Sequence, residues 1–344
     1  MKKSLLVFAI ALLGFSACKN DFVVNAPFKE VPVVYGLLDY DSSMQYIKVE
    51  RVFVDPVTSA LLVAQKPDSL YYPSSLVVEI MGFNDKNVQM TTHTFSLVNG
   101  DTIPGFQKEA GVFASSPNYF YRLKSKLNPA YYYRLSIRKA DGTVIASSKT
   151  NLVNNSTFTN PNPFTNPYYI TFVNRYSDPQ DQVKYSFLSG KYGKVFDVVV
   201  RMHYTEINKV SHDTSYKTID CPVATNIVAS SDLTGENLEA NYNGQNFFSY
   251  LNVHLKKDQN LARVATTFDI LLYSGSAVFK TYMDVSLAQS GFTAGNVQPD
   301  YTNIENGLGI FASRHITYKV GALIKSPSLD SLRKGRYSGG LGFI

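Results

Sequence analysis

Val31-Pro32-Val33-Val34-Tyr35-Gly36-Leu37-Leu38, closed by Asp39-Tyr40-Asp41-Ser42-Ser43 and followed by Gln45 to Val54, is the stretch that decides the fold. The first segment is an apolar, β-favouring run. In the last, Tyr46, Lys48 and Glu50 alternate with Ile47, Val49 and Arg51, the period of two that turns one face of a strand to a core and the other to water. The Asp/Ser cluster between them is turn chemistry. Together they predict a β-hairpin.

The rest of the N-terminal half repeats this grammar. Strand signals occupy Leu76 to Phe83, Thr91 to Leu97, Tyr119 to Leu123 and Tyr131 to Lys139, the last running through the hairpin dipeptide Asp141-Gly142 into Thr143 to Ser147. Thr58 is placed to cap a short helix over Thr58 to Gln65. A chain with 24 Tyr, 22 Phe, no Trp and only 17% charged residues has a β-favouring composition. About seven strands with turns every 8–12 residues predict an immunoglobulin-like β-sandwich over residues 28–150. The fold class expected is mainly β.

Between Asn151 and Pro167 the composition shifts to three prolines and six asparagines, which suit neither a helix nor a central strand. Residues 151–167 are therefore expected to be a linker, and 168–344 a second β-rich domain with one or two helices. There, Tyr168 to Asn174, Val183 to Leu188, Val195 to Glu206 and Ala265 to Tyr273 read as strands, with Val183 to Leu188 and Val195 to Glu206 joined through a hairpin at Ser189 to Gly193. Phe247, Phe248, Leu251, His254 and Leu255 recur at helical spacing behind a cap at Asn243. Phe279 to Ala288 fits either element. Gly307 to Ser313 and Ile316 to Ile324 read as closing strands, and Ser328 as the cap of a last helix through Lys334.

The N-terminus says where the chain works. Lys2 and Lys3 precede an apolar run from Leu5 to Phe15 and then Ser16-Ala17-Cys18. The run is too short to span a bilayer as a helix, so residues 1–17 read as a secretory signal. Small residues directly before a cysteine make the cut site a bacterial lipobox, with Cys18 as the lipid attachment and residues 18–27 as a tether. The alternative is an ordinary signal peptide with an incidental cysteine. Two or three acyl chains would make the attachment effectively permanent. The net charge of +6 falls by two when Lys2 and Lys3 are removed, leaving a surplus that argues against a nucleic-acid partner. Cys221 is then the one thiol left, read as a buried small hydrophobe.

Catalytic signals are absent from the sequence. His93, His203, His212, His254 and His315 are scattered and the cysteines unpaired, so no zinc motif exists and no metal or cofactor is expected. Asp213-Thr214-Ser215 and Gly190-Lys191-Tyr192-Gly193-Lys194 read as turns rather than as a protease loop or a phosphate loop, and Asp178-Pro179-Gln180-Asp181 as a solvated turn rather than a calcium site. Tyr71-Tyr72-Pro73, Tyr119-Phe120-Tyr121 and Tyr131-Tyr132-Tyr133 are either core packing, the favoured reading, or stacking platforms for a sugar or peptide.

Two features carry a resemblance. Cys18-Lys19-Asn20-Asp21 resembles the tag that directs lipoproteins to the outer face of the outer membrane in Bacteroidetes-type bacteria, with Asn20 where a second acid is usual. Val33 to Asp39, the Tyr133 to Gly142 hairpin, and above all Asn303-Ile304-Glu305-Asn306-Gly307-Leu308-Gly309-Ile310-Phe311-Ala312-Ser313-Arg314 are similar to a family of uncharacterised lipoproteins of that group. The resemblance implies a lipid-anchored protein of the outer membrane, at the cell surface, associated with a TonB-dependent transporter, with Lys19, Asn20 and Asp21 as export signal and no catalytic residues. Asp68-Ser69-Leu70, Asp101-Thr102-Ile103 and Asp330-Ser331-Leu332 also resemble the O-glycosylation acceptor pattern of such bacteria. In Asn303–Arg314 itself, Gly307 and Gly309 are expected to permit a turn or bulge entering a late strand. The expected function is binding or accessory work in the cell envelope; the alternatives are a hydrolase with a site assembled from distant residues, or an adhesin.

Overall fold

The computed structural model describes residues 30–52, 60–72, 76–162, 164–173, 182–290 and 301–344. The expectations at Cys18, Lys19, Asn20 and Asp21, at Thr58 and at Asp178 to Asp181 lie outside the described residues. Strand makes up 48% and helix 14%, so the fold is mainly β.

The opening stretch forms its hairpin. Strands β1 (Pro32–Leu38) and β2 (Gln45–Arg51) pair antiparallel from Pro32↔Arg51 to Gly36↔Ile47. Val34 and Leu38 of β1, with Ile47 and Val49 of β2, turn inward as the alternation requires. Two short helices, α1 (Ala60–Ala64) and α2 (Pro67–Leu70), lead to β3 (Val77–Phe83) and β4 (Gln89–Thr94). Beyond β5 (Ser96–Asn99) and β6 (Tyr119–Leu123) come β7 (Tyr132–Arg138) and β8 (Val144–Asn151). One sheet runs β1-β2-β6-β5 and the facing one β4-β3-β7-β8. Val34, Ile47, Val49 and Tyr121 from the first meet Val78, Ile80, Leu135 and Ile137 from the second in one core. The single strand expected over Thr91 to Leu97 is two. The chain leaves one sheet after Thr94 and enters the other at Ser96, with buried Phe95 donating its N–H to Val78 O at 2.9 Å between them.

In the second half, β9 (Thr157–Asn160), β11 (Gln182–Leu188) and β14 (Asn237–Asn243) make a three-stranded sheet ordered β14-β11-β9. It faces β12 (Val195–Asn208), β13 (Thr214–Val228) and β15 (Leu261–Gly275) across a core that holds Phe187, Phe196, Met202, Phe268 and Leu272. Helix α3 (Gln245–His254) adds Phe247, Phe248 and Leu251, and Asn243 Oδ1 accepts the Gln245 N–H at 3.0 Å, the local cap its sequence offers. β11 and β12 belong to different sheets, so Ser189 to Gly193 is a crossover between layers and not the expected hairpin. β13 went unread because the polar run Thr214 to Lys217 is exposed on both faces and shows no alternation.

The decisive element is β16 (Leu308–Ile324), one continuous strand where two were expected. Its first third runs parallel to β1 from Val33↔Leu308 to Leu38↔Ser313, and the remainder antiparallel to β15 from Gly275↔Arg314 to Phe268↔Ala322. Short β10 (Tyr169–Ile170) pairs with its end. The two halves thus share one nine-stranded sheet. Ile304 and Phe311, far along the chain from residues 28–150, sit in the N-terminal core. Within residues 151–167, Leu152, Val153, Ser156 and Phe158 are buried.

The ambiguous stretch is helix α4 (Ala277–Ser290), which packs Tyr282 edge-on against Tyr35 of β1 at 6.5 Å. The last helix is α5 (Ser326–Lys334). Ser328 lies inside it rather than at its cap, and its buried Oγ accepts the N–H groups of Phe172 and Val173 at 2.8 and 3.1 Å.

Candidate functional site: the cleft between the two halves

The cleft exists because β16 fixes the halves against each other. Asn303–Arg314 begins that strand. Gly309 has φ +96°, and a Cβ there would stand 2.1 Å from Val34 O, so only glycine lets the two backbones meet. The Asn303 side chain clamps Phe311 on both sides, Nδ2 donating to Phe311 O at 2.7 Å and Oδ1 accepting its N–H at 2.9 Å. Ser148 Oγ donates to Asn303 O at 2.6 Å, and Ser147 and Glu305 exchange backbone hydrogen bonds. The segment that carried the family resemblance therefore stitches β8 to β16, with a glycine kink entering the strand as its sequence suggested.

Further along β16, alternate side chains tie down residues 151–156. Ser313 Oγ donates to Asn151 O at 2.7 Å and accepts from Val153 N at 3.0 Å; Thr317 Oγ1 accepts from Ser156 N at 3.1 Å. Between them lies buried His315, its Nδ1 3.0 Å from Asp39 Oδ1 and its ring stacked on Tyr40 at 4.5 Å. Burial first, then the charges of Asp41 and Asp39, push the Tyr40 phenol above its ordinary pKa. Ser274, the cross-strand partner of His315, completes an Asp/His/Ser set in composition. Yet His315 Nε2 faces Tyr40 Oη and Asn155 Oδ1 at 3.4 and 3.3 Å, and buried Ser274 Oγ makes no hydrogen bond among the described residues. The base is not aimed at the hydroxyl, so this cluster reads as a junction clamp.

Beside this junction opens a cavity of about 450 Å³, within the size range of small-molecule sites. One wall is the outer face of β7 and β8, with Tyr132 and Arg134 on one strand and Lys149 and Asn151 on the other. The opposite wall is Tyr192 and Asp232, and the floor is Ser276 to Val278 at the start of α4. Asn87, at φ +58°, closes one side and accepts a hydrogen bond from Tyr132 Oη at 2.8 Å.

Three properties set these residues apart. Arg134 and Lys149 are direct cross-strand partners, and like charges at such a position repel. Neither forms an ion pair among the described residues. The Arg134 guanidinium is nonetheless held: it lies 4.4 Å from the Phe83 ring centroid and 5.5 Å from that of Tyr132, and Nη2 donates to Tyr132 Oη at 2.9 Å. Third, Tyr192 has φ +65° in a loop where Gly190 and Gly193 stand either side. A bulky side chain in the left-handed region costs about 1–2 kcal/mol relative to glycine. The ring is held in the cleft against that preference, its backbone N–H donating to Asp232 O at 2.7 Å.

Of the aromatic clusters noted in the sequence, Tyr71, Tyr121 and Tyr133 are buried and Tyr132 lines the cleft. The histidines occupy separate places. His93 is on β4, His212 in the β12–β13 turn, and His254 bonds Tyr250 O in α3; His203 bridges Asp269 Oδ2 at 2.7 Å and Tyr216 Oη at 2.6 Å on the outer face of the second sheet. Cys221 is buried, its Sγ 3.5 Å from Tyr242 Oη. The Asp213-Thr214-Ser215 site is the start of β13 after a turn in which Asn208 N–H donates to Asp213 O at 2.9 Å. Ser69, Thr102 and Ser331 lie in α2, a single 3-10 turn and α5. No sequence motif marked the cleft, since its residues come from six separate segments. The one local signal was a tyrosine flanked by Gly190-Lys191 and Gly193.

No protein-family model and no curated protein matches the chain. Among solved structures it is similar to a "Cytokine receptor complex", at 11% identity and a TM-score of 0.20 over 84% of this chain and 97% of that one. It is also similar to the C-terminal globular domain of an oligosaccharyltransferase from Pyrococcus abyssi, at 9% identity and a TM-score of 0.21 over 85% of this chain and 49% of that one. A third likeness, to trypsin-activated alpha-2-macroglobulin from Escherichia coli, has 9% identity and a TM-score of 0.19 over 72% of this chain and 14% of that one. Likenesses at this level carry no argument about function.

Proposed function

We propose that this chain is a cell-envelope lipoprotein, acylated at Cys18 and carried outward by Lys19-Asn20-Asp21, that works as a binding or accessory protein beside an outer-membrane transporter. The observation that supports a binding role is the cleft: a concave site with walls from both halves, two cations set opposite each other, and an aromatic ring kept in an unfavourable backbone conformation. Sites that break local rules in this way are where function concentrates.

The N-terminal unit is read as immunoglobulin-like. With its strands lettered in chain order, β1-β2-β6-β5 is the A-B-E-D sheet and β4-β3-β7-β8 the C′-C-F-G sheet. Tyr133 supports the same reading: it is buried near the start of the F-like strand and its Oη accepts the N–H of Asn128, five residues upstream, at 2.9 Å, as a tyrosine corner does. β16 would be an addition to that plan.

The test is fractionation and affinity purification of the full chain from gently solubilised native membranes. Wild type should be acylated and recovered with a transporter, whereas Cys18→Ser should leave the membrane fraction and lose that partner. An acylated, membrane-bound Cys18→Ser protein, or a wild type recovered without a transporter, contradicts the reading.

A further inference from the structure

The chemistry of the cleft defines what it takes. Arg134 and Lys149 are cross-strand partners on β7 and β8 that both line the cleft, a register at which like charges repel, and neither forms an ion pair among the described residues. An oxyanion placed between them would convert that repulsion into two charge-assisted contacts. The floor adds to the same sign, because the first residues of the 14-residue helix α4 line it, and the N-terminus is the positive end of the helix dipole. Around this positive centre stand groups of a different kind: the rings of Tyr132 and Tyr192, the amides of Asn87 and Asn151, and the Asp232 carboxylate opposite. Rings provide flat faces for the C–H surface of a saccharide, while amides and a carboxylate suit its hydroxyls. A bare inorganic anion would use none of these.

We infer that the cleft binds an anionic sugar, a carboxylated or sulfated saccharide unit whose charged group sits between Arg134 and Lys149 and whose ring lies against Tyr192. This rests on the reading of the cleft as the binding site and specifies its ligand. Tyr192 is then a specificity residue, which accounts for a tyrosine where the backbone favours glycine. Lys149 is kept opposite Arg134 because the ligand, rather than the fold, needs it.

Calorimetric titration of the full chain in detergent with glucuronate, glucose 6-sulfate and glucose tests the inference. Both anions should bind at least about tenfold more tightly than glucose, since one charge-assisted contact is worth roughly a factor of ten or more. The stronger of the two identifies the charged group as carboxylate or sulfate ester. Arg134→Met and Lys149→Met should each weaken the anion about tenfold or more. Lys149→Met and Tyr192→Gly should weaken binding while leaving the melting temperature equal or higher, a combination that a purely structural role does not give. Failure of either anion to bind at 20 mM would overturn the inference, as would anion binding indifferent to Arg134→Met. If glucose binds as well as the anions and Tyr192→Gly removes both, the cleft remains the site but the anionic assignment is wrong. Membrane attachment and transporter recovery are read separately and stand or fall on Cys18.

Discussion

Gly309 and Gly321 lie on the same strand, both in the left-handed region, at φ +96° and +77°, and their alanine variants isolate what joins the two halves. In each, alanine meets the left-handed penalty of about 1–2 kcal/mol, offset by about 0.4–1 kcal/mol from the smaller freedom of the unfolded chain. At Gly321 nothing lies within 4 Å of the new Cβ, so Gly321→Ala should lose only about 1 kcal/mol. At Gly309 the Cβ would be 2.1 Å from Val34 O and 3.0 Å from Val34 C. That overlap is relieved only by moving β1 away from β16. The movement loosens the packing of Phe311 and Val34, both fully buried in the shared core. Opening such a gap is comparable to a large-to-small core change, so Gly309→Ala should lose about 3–5 kcal/mol. Equilibrium urea unfolding of the full chain, followed by tyrosine fluorescence and far-ultraviolet dichroism, measures the difference. Losses within about 0.5 kcal/mol of each other would refute the claim that close approach at Gly309 welds the halves.

Other consequences are open to direct measurement. Chymotrypsin should cut at Phe164, which is 92% exposed, and spare 151–160; the fragments should co-elute under native conditions and separate in denaturant, whereas fragments that part without denaturant contradict the shared sheet. Burial pushes the Cys221 thiol above its ordinary pKa, so alkylation at pH 8 should await unfolding. The folded chain holds that proton longer than the unfolded chain, so this group subtracts nothing below the unfolded value and lowers stability as pH rises through it; rapid labelling of the native chain would be the contrary result. Asn303→Ala removes both clamps on Phe311 and should destabilise by about 1–3 kcal/mol, while an effect below about 0.5 kcal/mol would show the clamp to be incidental.

Much of the fold was legible locally. The period-two alternation of Gln45 to Val54 and the Asp141-Gly142 turn decided their hairpins without help from the rest of the chain, and Asn243 with Phe247, Phe248 and Leu251 marked α3. Long-range pairing left no such trace. Ser313-Arg314 looked like a break between two strands because the residues buried on β16 change partner there, from β1 to β15, and polar Ser313, His315 and Thr317 replace apolar ones where they bind the chain at 151–156. The Asn/Pro-rich stretch looked free because its anchoring is by hydrogen bonds to those side chains, which composition does not reveal. The cleft was hidden for a related reason: Arg134 and Lys149 are fifteen positions apart in a sequence where each alone is an ordinary surface charge, and only the register of β7 with β8 sets them opposite each other.

The central claim is that ligand is held in the cleft between the halves. A photoreactive benzoyl-phenylalanine in place of Tyr192, with a control in place of Tyr216 on the exposed outer face of the second sheet, can be irradiated in the full chain expressed in its native cells and the adducts weighed by mass spectrometry. The account predicts saccharide adducts at position 192 and none at 216. Adducts at 216 with position 192 unmodified would contradict it.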